Sequence, residues 1–498
     1  MATITVGGDQ ILNLSSALDS NTIVDVQRFG TLNVLSGGST IGTIVESAGL
    51  AHVSSGGSVT GTKINNHSEI DVFSGGTASG TTASGMDAFV TVSGGTVVST
   101  TLDVLGELSV RSGGAAISTT VKVAASVSIA AEGTATGTTL SSGGSEDVGD
   151  GGTTFGTTIN SGGGQLVLSN GTAIGTIVNN GGQQSVGDFF RLGHSFATGT
   201  IINSGGSQFV DKGGVVVSTM VHSGGIERVA ISGTASASTV ETGGLEKIDV
   251  GGITSGSVLA GGQQLVSSGG AAIATRINSG GLENVLSGGI ASGTIINGGV
   301  LELTAGAVVS GAITFASSDG TLEIDSTSLP ANVISGFARG DTIALRSVNF
   351  DNAGSVQLLS GNVLQIVENG TTLHLDLDPG RNFSGDVIPA AGRQRRWHGY
   401  HRRSGRRQWR DLERLRRPDQ QRSRCAERRH SQCAVRRDHD RYLRRRDGEC
   451  LLRRSRQQRA DYQQRGRNRP RRRHCARRHG EWWHDHRLGR GHRRRARH

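Results

Sequence analysis

The first 390 residues contain no cysteine, tryptophan or tyrosine; all 4 Cys, 4 Trp and 3 Tyr of this 498-residue chain lie beyond them. A disulfide framework in the body is therefore excluded, as is a core built on the largest aromatic rings. A cysteine-free body suits an exported protein as well as an intracellular one. Proline is nearly as scarce: the chain has 5, and none precedes Pro330. That is the pattern of a backbone whose N–H groups are committed to ladders. No run approaches the roughly 18 consecutive apolar residues of a membrane helix. The opening stretch MATITVGGDQILNLSS lacks a basic n-region and an apolar h-region, so it does not read as a secretory signal of the usual kind.

The formal charge of +10 averages two unlike parts. Residues 1–390 hold 12 Lys+Arg against 30 Asp+Glu, a net of −18, whereas residues 391–498 hold 39 Arg, no Lys and 11 Asp+Glu, a net of +28. The two parts need separate readings.

What the body has is glycine, 78 in the whole chain, and a period. Gly-Gly pairs begin at Gly37, Gly56, Gly75, Gly94 and Gly113, each 19 residues apart, and the grid continues through Glu132-Gly133, Gly151 and Asn170-Gly171. A second corner follows 11 residues into the unit, at Gly143, Gly162 and Gly181. Residues 277–299 (INSGGLENVLSGGIASGTIINGG) show one repeat and the start of the next. Stacking the units tests the architecture. The ninth position reads Val45, Ile64, Ala83, Leu102, Val121, Leu140, Ile159 and Val178. After a five-residue slip carried by residues 189–194 it resumes as Ile202, Val221, Val240, Leu259, Ile277 and Ile296. All fourteen are apolar. A second column eight residues later includes Val53, Val72, Val110, Ile129, Val148, Val167, Val186, Val210, Val229, Ile248 and Val285. Short β-branched runs between glycines are strand chemistry.

Two apolar columns per repeat predict an all-β fold, a right-handed parallel β-solenoid (β-helix) of about 14 rungs. Residues 1–30 read as irregular cap strands, residues 31–314 as the solenoid and residues 315–390 as a small β-rich terminal segment. In the last of these, Glu368-Asn369-Gly370-Thr371 is a hairpin signal. Residues 391–498 read as a disordered Arg-rich tail, without the apolar period a core requires.

Threonine forms two further files. Thr43, Thr62, Thr81, Thr100, Thr119, Thr138, Thr157 and Thr176 stand two residues before the first column, on its side of the strand or at its corner,. Thr82, Thr101, Thr120, Thr139 and Thr158 stand one residue before it, a candidate outward face that would suit ice or sugars, or simply an exposed strand.

An arginine-only tail is also what out-of-frame reading of GC-rich DNA produces. Read one nucleotide later, residues 461–466 (DYQQRG) permit IINSGG, the sequence at residues 201–206. Residues 447–454 permit TANVSSGG, close to AHVSSGG at residues 51–57. The expectation is a frameshift near Ile388-Pro389, natural or from sequencing, with more repeats hidden behind it. The rival reading is a genuine basic arm for nucleic acid or an anionic surface. No specific nucleic-acid partner is expected. Cys425, His430, Cys433, Cys450, Cys475 and His479 lack paired CxxC hooks, so no zinc site is expected.

Catalytic patterns are missing. The body has no P-loop, no GxSxG and no calcium nonapeptide. Glu146, Asp147 and Asp150 are its densest acidic group, and they read as a solvated corner. No catalytic, cofactor-binding or metal residues are expected, and no cofactor. A carbohydrate-active β-helix enzyme built on that trio is the enzymatic alternative; a structural surface-layer or ice-binding rod is the other.

The unit SGG-x-A-x-GT-x-I-x-x-GG-x-x-x-V, clear at residues 74–82, 204–229 and 268–285, resembles the 19-residue strand-loop-strand repeat of AIDA-type autotransporter passengers. The resemblance spans residues 31–314. It implies a bacterial surface or secreted adhesin, outer-membrane associated, acting in adhesion, autoaggregation or biofilm formation. Its implied partners are host or abiotic surfaces, glycans, or like molecules on neighbouring cells. It also implies O-glycosylation of Ser and Thr in the repeats. The family's signal peptide and translocator β-barrel have no counterpart in this sequence, so another export route, or a barrel lost to the frameshift, is expected.

Overall fold

A computed structural model of the chain describes residues 2–18, 22–187, 193–383 and 388. The Arg-rich tail, its potential metal ligands and most of the slip at residues 189–194 lie outside the described residues. Among those described there is no α-helix, only a 3-10 turn at Ser360–Asn362. No helix among the described residues is long and apolar enough to cross a membrane.

Each repeat makes one rung of three short parallel strands, and the rungs stack into three sheets. Sheet A has 18 strands, from Ala2–Val6 to Ile334–Ser335; sheet B has 18, from Ile11–Leu14 to Thr342–Leu345; sheet C has 15, from Ser39–Ile41 to Val308–Ser310. The fold is therefore a parallel β-solenoid of about 18 rungs rather than 14, rising roughly 80 Å at ~4.8 Å per rung. Four rungs, two at each end, were hidden because they keep strand register while departing from the 19-residue Gly-Gly grid. Ala2–Val6 pairs in register with Thr22–Val26, and Thr321–Asp325 with Val300–Thr304. One N-terminal corner is turned by Arg28 and Phe29, at φ 45° and 65°, instead of glycine. Residues 2–18 and 22–34 thus contribute strands to sheets A and B, whereas sheet C begins only at Ser39–Ile41.

Sheet C adds an inward column that the periodicity did not reveal. Sheet C contributes Val59, Ala78, Val97, Ala116, Ala135, Ala173, Ala197, Val216, Ala235, Ala272 and Ala291, all buried. Their small size leaves little hydrophobic signal, so they blend into the corner sequence.

The Gly-Gly corner answers two separate demands. The first position needs positive φ, which Glu132 (63°) and Asn170 (61°) also adopt,. The second position needs the absence of a Cβ. One built on Gly171 would lie 2.1 Å from the Val148 carbonyl oxygen of the rung below, and one on Gly133 2.3 Å from that of Val110. This is why Glu132-Gly133 and Asn170-Gly171 vary at the first position and keep the second.

The five-residue slip falls between the sheet B strand Gln183–Val186 and the sheet C strand Ser195–Thr198. Register is intact on both sides of it: Val178 pairs with Ile202 and Val186 with Val210. At the C-terminal end, Ser355–Leu358, Val363–Glu368 and Thr371–Asp376 form an antiparallel sheet, its hairpin turning at Asn369 (φ 48°) and Gly370 (φ 73°). Leu364, Leu375, Leu377 and Phe383 join Phe315, Leu322 and Ile334 in one apolar cluster, so this sheet closes the end of the core.

Candidate functional surface and the polar interior

Strand alternation sends the two threonine files to different environments. Thr82, Thr101, Thr120, Thr139 and Thr158 open consecutive sheet A strands, each directly above the last and half-buried, between Lys63 below and Ile177 above. The next residue on each strand points inward. Val45, Ile64, Ala83, Leu102, Val121, Leu140, Ile159, Val178, Ile202, Val221, Val240, Leu259, Ile277 and Ile296 are all 0 % exposed. Thr62, Thr81, Thr100 and Thr119 are buried beside this column and their hydroxyls have no hydrogen-bond partner.

The outer surface is built from shallow ladders. On sheet B, Asn33 donates to Asn13 Oδ1 (2.7 Å), and His52 Nδ1 lies 3.1 Å from Asp71 one rung above. The hydrogen bond to Asp71 raises the His52 pKa against the opposing effect of partial burial. Thr91 donates to Glu69 (2.9 Å), and burial lifts that carboxyl above its usual range. Asn203, Asn179 and Asn160 chain down one corner at 2.8 and 2.9 Å. On sheet C, Ile117, Thr136, Phe155 and Ile174 stack on the outside in consecutive register, with Ile117 and Phe155 exposed. Among the described residues, no group of three or more His, Cys, Asp or Glu side chains could hold a metal ion.

The acidic trio does not converge. Asp147 and Asp150 are exposed, whereas Glu146 is wholly buried. Its reading as part of a solvated corner is corrected by strand alternation, since Glu146 shares the inward face of Val148. With one carboxyl inside the rod and two outside, the trio cannot act on one substrate.

Glu146 instead begins a feature that the hydrophobic pattern concealed. The sheet B column beside the Val column is apolar through Leu32, Ala51, Ile70, Val90, Leu108 and Val127. It then becomes Glu146, Gln165, Gln184, Gln208, Glu227, Glu246, Gln264 and Glu283, each directly above the last and at most 1 % exposed, before returning to Leu301 and Leu322. Along this file the neighbouring hydroxyls find partners. Thr157 donates to Glu146 (2.8 Å), Thr176 to Gln165 (3.0 Å), Thr200 to Gln184 (3.0 Å) and Thr275 to Gln264 (3.0 Å). Burial raises the pKa of all four glutamates, that of Glu283 to about 8. The available signal was an E/Q two residues before the Val column in eight successive units, which is visible only when the polar residues are aligned on the period as well.

The chain is similar to the crystal structure of a TibC-catalysed, hyper-glycosylated TibA fragment, with 34% identity and a TM-score of 0.52, over 55% of this chain and 99% of the fragment. TibA is an AIDA-type autotransporter adhesin passenger. The chain belongs with TibA among the β-solenoid autotransporter passengers. The match spans essentially the whole fragment, as expected if the stacked repeats are what the two share. No family model matches this chain, and no curated protein matches it.

Proposed function

We propose that this β-solenoid is a non-enzymatic surface or secreted adhesin, and that it promotes adhesion, autoaggregation or biofilm formation through its long outer faces. The single observation carrying this reading is the 34% identity to the TibA passenger across 99% of that fragment. The surface is consistent with it: ladders of Asn, Thr and Ser, with an apolar strip at Ile117–Phe155, offer many weak contacts repeated at rung spacing. Such contacts add through multivalency rather than through one deep site. Host or abiotic surfaces, glycans, and copies on neighbouring cells are the partners that such faces fit. Ser and Thr of the repeats are the proposed acceptors of sugars, because the TibA fragment is hyper-glycosylated. Display of residues 1–390 on a non-adherent bacterium should produce autoaggregation or retention on glycan-coated or plastic surfaces. Cells that display the rod and show neither would overturn the reading.

The Thr82–Thr158 file supports a second reading, an ice-binding or structural rod, because its five members stand in unbroken register. Thermal hysteresis lost on replacing Thr101, Thr120 and Thr139 by Lys would select it; no hysteresis in the unsubstituted protein removes ice binding.

A further inference from the structure

The hydrogen bonds of the interior file run in one direction. Gln208 Nε2 donates to Gln184 Oε1 (2.6 Å), Gln184 Nε2 to Gln165 Oε1 (2.7 Å), and Gln165 Nε2 to Glu146 Oε2 (2.6 Å). Higher up, Gln264 Nε2 donates to Glu246 Oε2 (2.5 Å). Each glutamine thus donates one rung toward the N-terminus and accepts from above or from a hydroxyl. The file breaks where glutamate replaces glutamine. Both carboxyl oxygens of Glu227 and one of Glu283 have no hydrogen-bond partner, although both residues are fully buried.

A carboxylic acid has the shape of a carboxamide and, when protonated, one donor. We infer that Glu227, Glu246 and Glu283 are carried as neutral acids standing in for glutamine in a head-to-tail ladder, and that their ionisation loosens the rungs from Gln208 to Glu283. In that ladder Glu283 donates toward Gln264, Glu246 toward Glu227, and Glu227 toward Gln208, so every member has a donor and an acceptor role.

The surroundings leave no other way to carry these groups. Facing Glu227 are Gln208 and Glu246 in its own sheet, the hydroxyls of Thr219 and Ser238, and the sheet C positions Val216 and Ala235. Ser257 and Gln264 donate to Glu246 and Thr294 donates to Glu283, while Thr254 and Thr275 bond the Gln264 between them; the titratable neighbours are Glu227 for Glu246 and Glu246 for Glu283. None is cationic. The charges at these rungs, Arg228 and Lys247 with Asp249, His222 with Glu241, and Asp211, Lys212 and Arg276, lie on the outer faces. An ionised carboxylate without a partner is strongly disfavoured in the closed core, and Glu227 and Glu246 would also repel each other across one rung.

The direction of the pH effect follows from proton counting. The acids bind protons more tightly folded than unfolded, so their contribution is fully present below the unfolded value of 4.5 and is lost as pH rises through the folded values, to about 8 for Glu283,. Stability of these rungs should fall between about pH 5 and 8 and then level off. The rungs through Val127 have apolar residues at this position, and their shifted groups, His52 and Glu69, are only partly buried on the outer face, so their dependence is smaller.

Hydrogen exchange followed by mass spectrometry on the full chain, corrected for intrinsic rates, tests this. The opening constant of residues 208–283 should rise at least ~10-fold per pH unit between pH 5 and 7, while that of residues 50–127 changes far less. The E227Q/E246Q/E283Q variant should abolish the difference and retain the fold, since Gln165, Gln184, Gln208 and Gln264 already occupy the same environment. An infrared carboxylic-acid band at pH 6, reduced in that variant to at most the share of Glu146, reports the protons directly whatever the stability does. A flat profile in the native sequence, an unchanged slope in the variant, or no acid band would overturn the inference. So would calcium-dependent protection at pH 8 that chelation removes, because a cation would then be neutralising the file.

Discussion

Gly171 and Gly156 are both corner glycines, yet replacing each by alanine should have very different consequences. At Gly156 φ is +62° and nothing lies within 4 Å of an added Cβ. The cost is that of a left-handed alanine, about 1–2 kcal/mol. At Gly171 the added Cβ would sit 2.1 Å from the Val148 carbonyl oxygen and 2.7 Å from its carbon. A normal C···O contact is about 3.3–3.6 Å, so the two rungs must separate by more than an ångström. Two ladder bonds hold them together there, Leu168 N to Val148 O (2.7 Å) and Thr172 N to Gly152 O (3.0 Å), while Gly171 N to Leu168 O (2.8 Å) closes the corner within the upper rung. Losing both ladder bonds at about 1 kcal/mol each, on top of about 1–3 kcal/mol of overpacking, puts Gly171→Ala near 3–5 kcal/mol. Because each rung touches only its neighbours, the damage should be local. Urea unfolding of the two variants, with hydrogen exchange to locate the weakened rungs, is the assay. If Gly171→Ala destabilises no more than Gly156→Ala, the close-approach account of the second corner glycine is wrong.

Leu140→Ala removes a fully buried side chain and should cost about 2–5 kcal/mol, with faster hydrogen exchange concentrated at residues 121–159; a uniform loss along the whole solenoid would contradict nearest-neighbour stability. NMR titration of His52 should give a pKa above 6.5, returning toward it in Asp71→Asn. The stabilising contribution of that pair is fully present below pH 6.5 and declines as pH rises through the raised folded value. A normal His52 titration would show that the pair is open in solution.

Residues such as Ile277 and Val285 are informative in one dimension. Their recurrence every 19 residues, between Gly-Gly corners and without proline, is compatible with few backbones other than stacked parallel rungs. Two classes of residue resisted that logic. Ala78, Ala116 and Ala135 line a whole sheet but are too small to stand out from corner sequence, so one of the three faces was invisible. The corners at Arg28-Phe29-Gly30 and Gly340-Asp341 carry a single glycine rather than a Gly-Gly pair, so the end rungs went uncounted.

The polar interior marks the division most clearly. The amino-acid sequence by itself determined the parallel β-solenoid, because strand period, corner chemistry and rung length are local properties repeated many times. Only the tertiary structure decided that Glu146 is separated from Asp147, and that Glu227 and Glu246 face each other across one rung in a core without a cation. Polarity alone assigns such residues to the surface. Stacking overrides that tendency, because each inward glutamine or glutamate meets an amide, acid or hydroxyl about 4.8 Å along the rod, a partner that lies 18–24 residues away in the chain and becomes adjacent only when the rungs close.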